Sequence, residues 1–182
     1  MKVSKTKLKD VVIIEPEVFP DDRGFFLESW NLKEVSEIIG SKYNFVQENQ
    51  SHSTHGVLRG LHYQTQQAQG KLLRVINGSI LDVAVDLRES SSTFGSHISV
   101  ILSSENFRQL WIPPGFAHGF SVLSREADLI YKTTDYYAPE FEQCIIYDDE
   151  NLAIDWNLND EEPKISLKDA KGISFRSAPY FP

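Results

Sequence analysis

The stretch Asn-Gly-Ser-Ile-Leu-Asp-Val-Ala-Val-Asp-Leu (residues 77–87) carries the clearest secondary-structure pattern in the chain. Its side chains alternate with a period of two from residue 79 onward, which is the period of a β-strand. One face is aliphatic and consists of Leu81, Val83, Val85 and Leu87. The other face is unusually acidic and consists of Asp82, Ala84 and Asp86. Because Asn-Gly is the strongest short-range hairpin signal, the stretch predicts a strand entered from a tight turn.

On both sides of this strand, within residues 11–147, turn-forming Gly, Pro, Asn, Asp or Ser residues interrupt the sequence about every ten residues. The pieces between the breaks are rich in Val, Ile, Leu, Phe and Tyr, which is typical of short strands. The predicted strands are residues 11–15, 24–30, 44–51, 57–63, 71–77, 79–87, 96–102, 109–112, 118–123, 127–134 and 144–147. Only residues 32–39 have helical apolar spacing, with a candidate short helix near Asn106. An all-β sandwich or barrel with few short helices follows.

The length and composition favour one domain. The chain has 182 residues, of which 41% are hydrophobic and 24% charged, an ordinary globular composition with enough apolar material for one core. No internal repeat or composition shift suggests a second unit, so we predict a single domain over residues 1–182. The polar stretch 148–164 is expected to be an extended arm or a surface loop.

Charge and cysteine content narrow the functional classes. A formal net charge of -8 leaves no overall basic field for nucleic acid or an anionic membrane, so an anionic ligand must meet a local basic cluster. The single cysteine, Cys144, fits a reducing compartment. We expect no signal peptide from the first residues, and no apolar run in the sequence approaches the length of a membrane span. We therefore expect a cytoplasmic protein that binds neither nucleic acid nor membrane.

Residues suited to chemistry are concentrated in four motifs, at residues 57–64, 70–71, 109–120 and 131–132. These motifs hold groups that enzymes use for proton transfer beside an anion: Arg59, His62, Lys71, His118 and Tyr131. Taken singly, each also fits a structural role. A strand histidine is often a core or surface residue, a tyrosine that alternates with apolar residues packs in a core, and Arg and Lys are commonly solvated.

A metal site is the main alternative for these histidines. Short-stranded barrels often carry a His-x-His pair on one strand face, whereas this chain has His62-Tyr63-Gln64. The pair His52-x-x-His55 lies in a Ser-rich stretch typical of a surface loop. The sequence therefore predicts no metal site.

The motifs taken together resemble one family. In chain order they are Asp-x-Arg-Gly-Phe-Phe (21–26), Phe-x-Gln-x-Asn (45–49), Val-Leu-Arg-Gly-Leu-His-Tyr-Gln (57–64), Gln-Gly-Lys-Leu (69–72), Asp-Val-Ala-Val-Asp-Leu-Arg (82–88), Ser-Thr-Phe-Gly (92–95), Arg-Gln-Leu-Trp-Ile-Pro-Pro-Gly-Phe-Ala-His-Gly-Phe (108–120) and Tyr-Lys-x-Thr-x-Tyr-Tyr (131–137). Over residues 11–169 this order is similar to that of the dTDP-4-dehydrorhamnose 3,5-epimerases.

The resemblance implies a cupin-like double-stranded β-helix, or jelly roll, that forms a homodimer and uses no metal or cofactor. It also implies an isomerase in dTDP-L-rhamnose biosynthesis, which converts dTDP-4-dehydro-6-deoxy-α-D-glucose to dTDP-4-dehydro-β-L-rhamnose. Such an enzyme inverts carbons 3 and 5 of a dTDP-4-keto-6-deoxyhexose by removing and returning protons. The ketone at carbon 4 acidifies both neighbouring C–H bonds, so one base, one acid and one anion stabiliser suffice.

Four residues match the family's catalytic positions. His62 matches the proton acceptor, and Asp169, in Leu-Lys-Asp-Ala (167–170), matches the carboxylate that orients it. Tyr131 matches the proton donor, and Lys71 matches the lysine that stabilises the enolate oxygen.

Further residues match substrate contacts. The expected diphosphate contacts are Arg23, Arg59 and Lys168. His118 matches a sugar-site histidine that Asp82 is expected to hydrogen-bond. The remaining nucleotide or sugar positions are Glu28, Gln47, Glu48, Asn49 and Glu142, and the candidates for stacking on thymine are Phe19, Phe26 and Tyr137. Because the family's N-terminal strand reaches the partner subunit, Arg23 and Glu28 are expected to serve the other chain's site. Cys144 is expected to have no role.

Two features depart from a simple reading of the family pattern. Arg59 and His62 are three residues apart, so strict alternation puts them on opposite strand faces, and we predict a bulge or twist at Gly60. Residues 47–49 read Gln-Glu-Asn where the family more often has Asp in the middle, which leaves a side-chain contact by Glu48 in doubt.

Narrower functions remain open on the sequence. Relatives on this scaffold act at one carbon only, or move the ketone from carbon 4 to carbon 3. The combination of Tyr131, His62 and Lys71 favours the full 3,5-epimerase, because losing the acid is one route to narrower chemistry. A non-catalytic sugar-nucleotide-binding barrel would need the arginines and aromatic residues but no His-Asp pair facing a tyrosine.

Overall fold

In the computed structural model, which describes residues 1–159 and 161–182, the alternating segment forms a strand over Ser79–Asp86. The glycine before it, Gly78, has a φ of 75°, a left-handed conformation that glycine adopts at little cost. In chain order, the strands of the described residues are β1 (Lys2–Lys5), β2 (Val12–Glu15), β3 (Val18–Asp21), β4 (Gly24–Leu27), β5 (Gln47–Thr54), β6 (Leu58–Gln64), β7 (Lys71–Asn77), β8 (Ser79–Asp86), β9 (His97–Ser103), β10 (Gln109–Ile112), β11 (Phe116–Val122), β12 (Glu126–Thr133) and β13 (Glu142–Cys144), and the α-helix is α1 (Leu32–Ile39).

Two antiparallel sheets contain most of these strands. The larger sheet has the order β1-β2-β10-β7-β12-β5, and the smaller has the order β13-β6-β11-β8-β9. Strands β3 and β4 form a separate hairpin, which we call the β3–β4 hairpin. Most neighbouring strands in the two sheets are distant in sequence, as in a jelly roll. The predicted all-β, cupin-like fold is confirmed.

The main core lies between the two sheets. Leu73 and Leu129 from the larger sheet pack in one cluster with Ile80 and Phe120 from the smaller sheet. Both faces of β8 are buried, so the acidic face predicted for this strand points into the protein. Asp82 is 0% exposed, and its burial between the sheets places a carboxylate where the functional site forms.

The outer faces of the sheets are covered by different segments. Helix α1 packs Val35 against Trp111 of the larger sheet, and Asn31 caps it by accepting from the backbone N–H of Lys33 at 3.0 Å. With eight residues, α1 is too short to cross a bilayer, and no helix of the described residues is long and apolar enough to do so.

The outer face of the smaller sheet is covered by the C-terminal part of the chain. Trp156 is buried there against Val83 and Val85, and its indole N–H donates to the Tyr147 carbonyl at 2.7 Å. Residues 148–164 were predicted to be an arm or a surface loop. Outside Asp160, which lies beyond the described residues, they contain neither helix nor sheet strand, yet their apolar residues are part of the core.

The predicted elements agree with the structure in most places. Strands β7 and β10 and helix α1 have the predicted bounds. Strands β1 and β3 were not predicted. The helix expected near Asn106 is wrong, because the Ser103 hydroxyl accepts from the backbone N–H of Asn106 and holds the segment as a turn.

Candidate active site

Strand β6 places two functional side chains on one cavity through an irregularity in its pairing. Opposite β11, His62 pairs with His118 and Arg59 pairs with Phe120, so the register shifts between these pairs. Gly60 lies inside the shift with a φ of 119°, and a Cβ there would come within 2.6 Å of Gly119 Cα. As a result Arg59 and His62 line the same cavity, which confirms the bulge predicted at Gly60.

His62 and Asp169 form a hydrogen-bonded pair beside this cavity. The distance from His62 Nε2 to Asp169 Oδ1 is 2.8 Å, and Asp169 Oδ2 accepts from the backbone N–H of Gly60 at 3.3 Å. Burial opposes charge on Asp169, but the hydrogen bonds from His62 and Gly60 outweigh it and hold the pKa of this carboxyl below its ordinary value. An ionised carboxylate only accepts, so Nε2 carries the ring proton and Nδ1 is free to act as a base.

A second histidine–carboxylate pair lies deeper in the protein. His118 Nε2 is 2.9 Å from Asp82 Oδ2, and both side chains are buried. Burial lowers the pKa of His118, against the effect of the Asp82 charge, and the nearby Lys71 lowers it further. The expected Asp82–His118 contact is therefore present, with a neutral imidazole facing the cavity.

Lys71 begins strand β7 and is buried at the cavity wall. Its ammonium donates to the backbone carbonyl of His62 at 3.4 Å. Burial lowers the pKa of Lys71 to about 8, although the charges of Asp82 and Glu142 favour the ammonium form. Lys71 therefore places a local positive charge at the cavity of an acidic protein, where an anionic ligand needs one.

Tyr131 faces His62 from the other sheet. Tyr131 lies on β12 of the larger sheet and His62 on β6 of the smaller sheet, and both line a cavity of about 180 Å³. Burial raises the pKa of Tyr131, partly offset by the charge of Arg59, so the phenol stays protonated at neutral pH. The cavity therefore has a base on one wall and an acid on the opposite wall.

The rim of the cavity joins three of the predicted contact residues. The hydroxyl of Tyr137 donates to Glu142 Oε2 at 2.5 Å, and the Lys168 ammonium donates to the same oxygen. Burial opposes charge on Glu142, but Lys168 and Tyr137 hold the pKa of its carboxyl below the ordinary value. Gln47 accepts from the backbone N–H of Tyr137 at 3.1 Å, and its amide donates to Asn49 at 2.8 Å.

Five predicted contacts lie away from the cavity. The side chain of Glu48 is paired with Lys132, and it is exposed where its neighbours Gln47 and Asn49 are half-buried, so it lies on the opposite face of β5. The other four are in the β3–β4 hairpin or just after it, and none lines the cavity: Phe19, Arg23, Phe26 and Glu28. The Arg23 side chain is 90% exposed and contacts Asp21 within its own turn.

The chain is similar to known proteins over nearly its whole length. The family model described as dTDP-4-dehydrorhamnose 3,5-epimerase matches residues 5–177. A protein of that name from Pseudomonas aeruginosa is 54% identical over 182 residues, which is 100% of both chains. The chain belongs to this family. The family resemblance in the sequence motifs is thus confirmed.

Solved structures of dTDP-sugar epimerases share the fold. The enzyme from Legionella pneumophila, described as a dTDP-6-deoxy-D-glucose-3,5-epimerase in complex with dTDP-4-keto-L-rhamnose, has a TM-score of 0.95 and 52% identity, covering 98% of this chain and 94% of its own. A 3'-monoepimerase from Streptomyces bikiniensis in complex with dTDP-quinovose has a TM-score of 0.88 and 29% identity, covering 95% of this chain and 87% of its own. The fold is thus shared by epimerases of wider and narrower action.

Several cavity residues of this epimerase-family chain were not singled out from the sequence. They are Ser51, Tyr63, Gln64, Gln69, Phe120 and Leu129. Gln64 anchors the chain at the rim, since its amide donates to the Gln67 carbonyl at 2.8 Å and accepts from the backbone N–H of Ala138 at 3.0 Å. Ser51, Gln64, Phe120 and Leu129 alternate along their strands with predicted site residues, as Gln64 does with His62, and this is the signal that could have found them. Tyr63 and Gln69 carry no such signal.

Proposed function

We propose that the chain is a dTDP-4-dehydrorhamnose 3,5-epimerase, an isomerase that converts dTDP-4-dehydro-6-deoxy-α-D-glucose to dTDP-4-dehydro-β-L-rhamnose. The observation that carries the proposal is the opposition across one cavity of His62, paired with Asp169, and Tyr131. Inversion of a carbon requires proton removal on one face and proton return on the other, and two walls bearing a base and an acid meet that requirement.

In this proposal His62 Nδ1 removes the proton next to the ketone. Asp169 holds the imidazole in the tautomer that leaves Nδ1 free, and it stabilises the imidazolium that forms. The electron pair moves onto the oxygen at carbon 4, where the buried ammonium of Lys71 stabilises the enolate. Tyr131 then delivers a proton to the opposite face. Once the imidazolium of His62 has released its proton to solvent and the phenolate of Tyr131 has taken one up, the same sequence serves the second of carbons 3 and 5.

The substrate contacts are proposed on position and charge. Arg59 at the cavity wall and Lys168 at the rim supply cations for the diphosphate, and His118 faces the sugar. Tyr137 at the rim is an exposed aromatic surface on which thymine can stack. Gln47, Asn49 and Glu142 complete the rim.

We further propose a homodimer in which the β3–β4 hairpin of one chain reaches the cavity of its partner. The hairpin exposes three phenylalanines, Phe19, Phe25 and Phe26, of which Phe26 is 69% exposed. Phe19 and Phe26 are the candidates for contacts to the nucleotide. Arg23 and Glu28 belong to the same segment. A cytoplasmic location is also proposed, supported by the single cysteine of the chain.

The test is proton NMR of the purified protein with dTDP-4-dehydro-6-deoxyglucose in deuterated water, with the product trapped by a rhamnose-forming reductase. Deuterium at carbons 3 and 5 together with a trapped L-rhamnose product supports the proposal. Exchange at carbon 3 alone indicates a 3'-monoepimerase, like the Streptomyces bikiniensis neighbour. A 3-keto product indicates a ketoisomerase instead.

The substitution His62→Ala separates catalysis from binding. We expect turnover to fall by about 10²- to 10⁴-fold, the usual contribution of a general base, with dTDP affinity retained because Arg59 and Lys168 are untouched. Titration calorimetry with dTDP and the NMR assay measure the two effects. The alternative is a non-catalytic sugar-nucleotide-binding barrel. It would be supported if the unsubstituted protein showed no exchange and bound dTDP as tightly as His62→Ala does.

A further inference from the structure

Three potential metal ligands meet on the Asp169 side of the His62 ring. One ring nitrogen of His62, the Cys144 sulfur and a carboxylate oxygen of Asp169 all lie within 4.8 Å of one another. Cys144 ends β13 and pairs directly with His62 on β6, while Asp169 arrives from a short 3₁₀ helix, Asp169–Lys171. The fold thus assembles a cluster that no spacing in the sequence indicates.

We propose that His62, Cys144 and Asp169 form an inhibitory site for Zn²⁺, with Nε2, Sγ and Oδ1 as the ligands. A donor set of one sulfur, one nitrogen and one oxygen suits Zn²⁺, whereas Mg²⁺ and Ca²⁺ require oxygen ligands. Zinc–ligand distances of about 2.0 to 2.3 Å place ligand atoms roughly 3 to 4 Å apart in a tetrahedral site. The 2.8 Å between Nε2 and Oδ1 therefore needs to open only slightly.

The cation would block catalysis through the tautomer of His62, an effect that rests on the proposed function of this residue. A neutral imidazole carries one proton. In the free protein Asp169 holds that proton on Nε2, which leaves the Nδ1 lone pair for the substrate. When Zn²⁺ takes the Nε2 lone pair, the proton moves to Nδ1, and the base is lost without any ligand entering the substrate cavity.

Cys144 is the residue that makes the site selective. Its sulfur lies within 4.8 Å of a His62 ring nitrogen and an Asp169 carboxylate oxygen, and a thiolate is a ligand that suits Zn²⁺ and does not suit Mg²⁺ or Ca²⁺. Binding of Zn²⁺ displaces the thiol proton to solvent and neutralises the carboxylate beside it. The side chain is half-buried and next to the half-exposed His62 ring, so solvent reaches the cluster.

The first measurement is binding of Co²⁺, a spectroscopic substitute for Zn²⁺, to the full chain. We expect a thiolate-to-cobalt charge-transfer band in the near ultraviolet, displaced by one equivalent of Zn²⁺. Because the chain has one cysteine, such a band reports on Cys144 alone and does not depend on activity. If the protein shows the cobalt band but no epimerase activity, the result contradicts the proposed function and still supports the cation site.

The second measurement is zinc inhibition of the epimerase, reversed by a chelator. We expect Zn²⁺ to lower kcat and leave KM and dTDP affinity unchanged. The substitution Cys144→Ser keeps the side-chain size and removes the sulfur, so it should retain activity and weaken zinc inhibition by at least roughly tenfold, a factor that even outer-shell partners contribute. Cys144→Ala is a second variant with the same expectation.

Three outcomes overturn the proposal. They are no cobalt band in the unsubstituted protein, equal zinc sensitivity in both Cys144 variants, and a rise in KM at constant kcat. The last outcome would place the cation among the diphosphate contacts instead.

Discussion

At the scale of single residues, Lys71 shows how strongly the fold changes the pKa of a side chain. A lysine at the start of a strand is ordinarily solvated, but here it is buried between two sheets beside the carbonyl of His62. Burial lowers the pKa of Lys71 to about 8, so its charge is present below that pH and is lost as the pH rises through it. The sequence motif indicated a lysine at the sugar but not its pKa, because desolvation depends on the facing strands.

This pKa predicts an alkaline limit to activity. We expect kcat/KM to fall as the pH rises above about 8, because the neutral amine no longer stabilises the enolate. Lys71→Arg keeps the positive charge throughout this range, so whatever activity it retains should lack the alkaline limb. The pH profile of kcat/KM for both proteins is the measurement, and an identical limb in the arginine variant would assign it to another group.

Tyr131 is the second residue whose role has a direct test. In Tyr131→Phe we expect deuterium to enter the substrate still, because His62 is intact, while formation of the L-sugar falls by about 10²-fold or more for lack of an acid. Tyr63→Phe is a matched control, since the hydroxyl of Tyr63 already donates to the Pro179 carbonyl at 2.9 Å. Equal loss of product in both variants would contradict the assignment of Tyr131 as the donor.

At the scale of elements, the register shift in β6 depends on Gly60. The need for Arg59 and His62 to face one ligand predicted an irregularity there, and the strand does shift register at that point. The same glycine donates its backbone N–H to Asp169. One residue of β6 therefore sets both the direction of His62 and the position of its carboxylate partner.

The substitution Gly60→Ala should disrupt this arrangement. Gly60 has a left-handed φ, and an added Cβ would lie 2.6 Å from Gly119 Cα and 2.7 Å from the His118 carbonyl oxygen. We expect a loss of about 2–3 kcal/mol or more in the free energy of unfolding, and a fall in turnover. Gly40→Ala has a positive φ of 99° but nothing within 4 Å, so it isolates backbone strain. Denaturant unfolding of both variants gives the comparison, and equal losses would show that crowding at Gly60 is unimportant.

The elements that sequence patterns missed share a physical reason. Strand β1 is an edge strand, Lys-Val-Ser-Lys, with a lysine at each end, and charged edges lack the apolar alternation that marks a strand. Strand β3 contains Pro20 and pairs only with β4, so neither composition nor burial distinguishes it. Both are held by pairing partners that a local pattern does not contain.

At the scale of the whole molecule, the His62–Asp169 pair depends on long-range packing. Asp169 is brought to β6 by a C-terminal segment that pairs Ile173 with Ile145 and Lys164 with Val57. That segment is irregular, and its position follows from the fit of buried Trp156 and Leu152 against the smaller sheet. The sequence resemblance indicated that Asp169 meets His62, whereas the path that brings them together had no periodic signal.

The proposed exchange of hairpins between two copies has a test at this scale. Arg23→Ala and His62→Ala should each be nearly inactive alone. After unfolding and refolding together in equal amounts, random pairing gives one intact site in half of the dimers, so about a quarter of the full activity should return. The epimerase assay on the refolded mixture measures it, with refolded single variants as controls. A mixture no more active than the single variants would show that Arg23 serves no other copy.

The proposed exchange of β3–β4 hairpins has a consequence for alleles that are expressed together in one cell. In the proposed homodimer, a damaged hairpin impairs the site of the partner and spares the chemistry of the chain that carries it. An allele altered in residues 18–27 would then act in trans, lowering the output of an intact allele expressed in the same cell. An allele altered at His62 would instead still lend its hairpin to an intact copy.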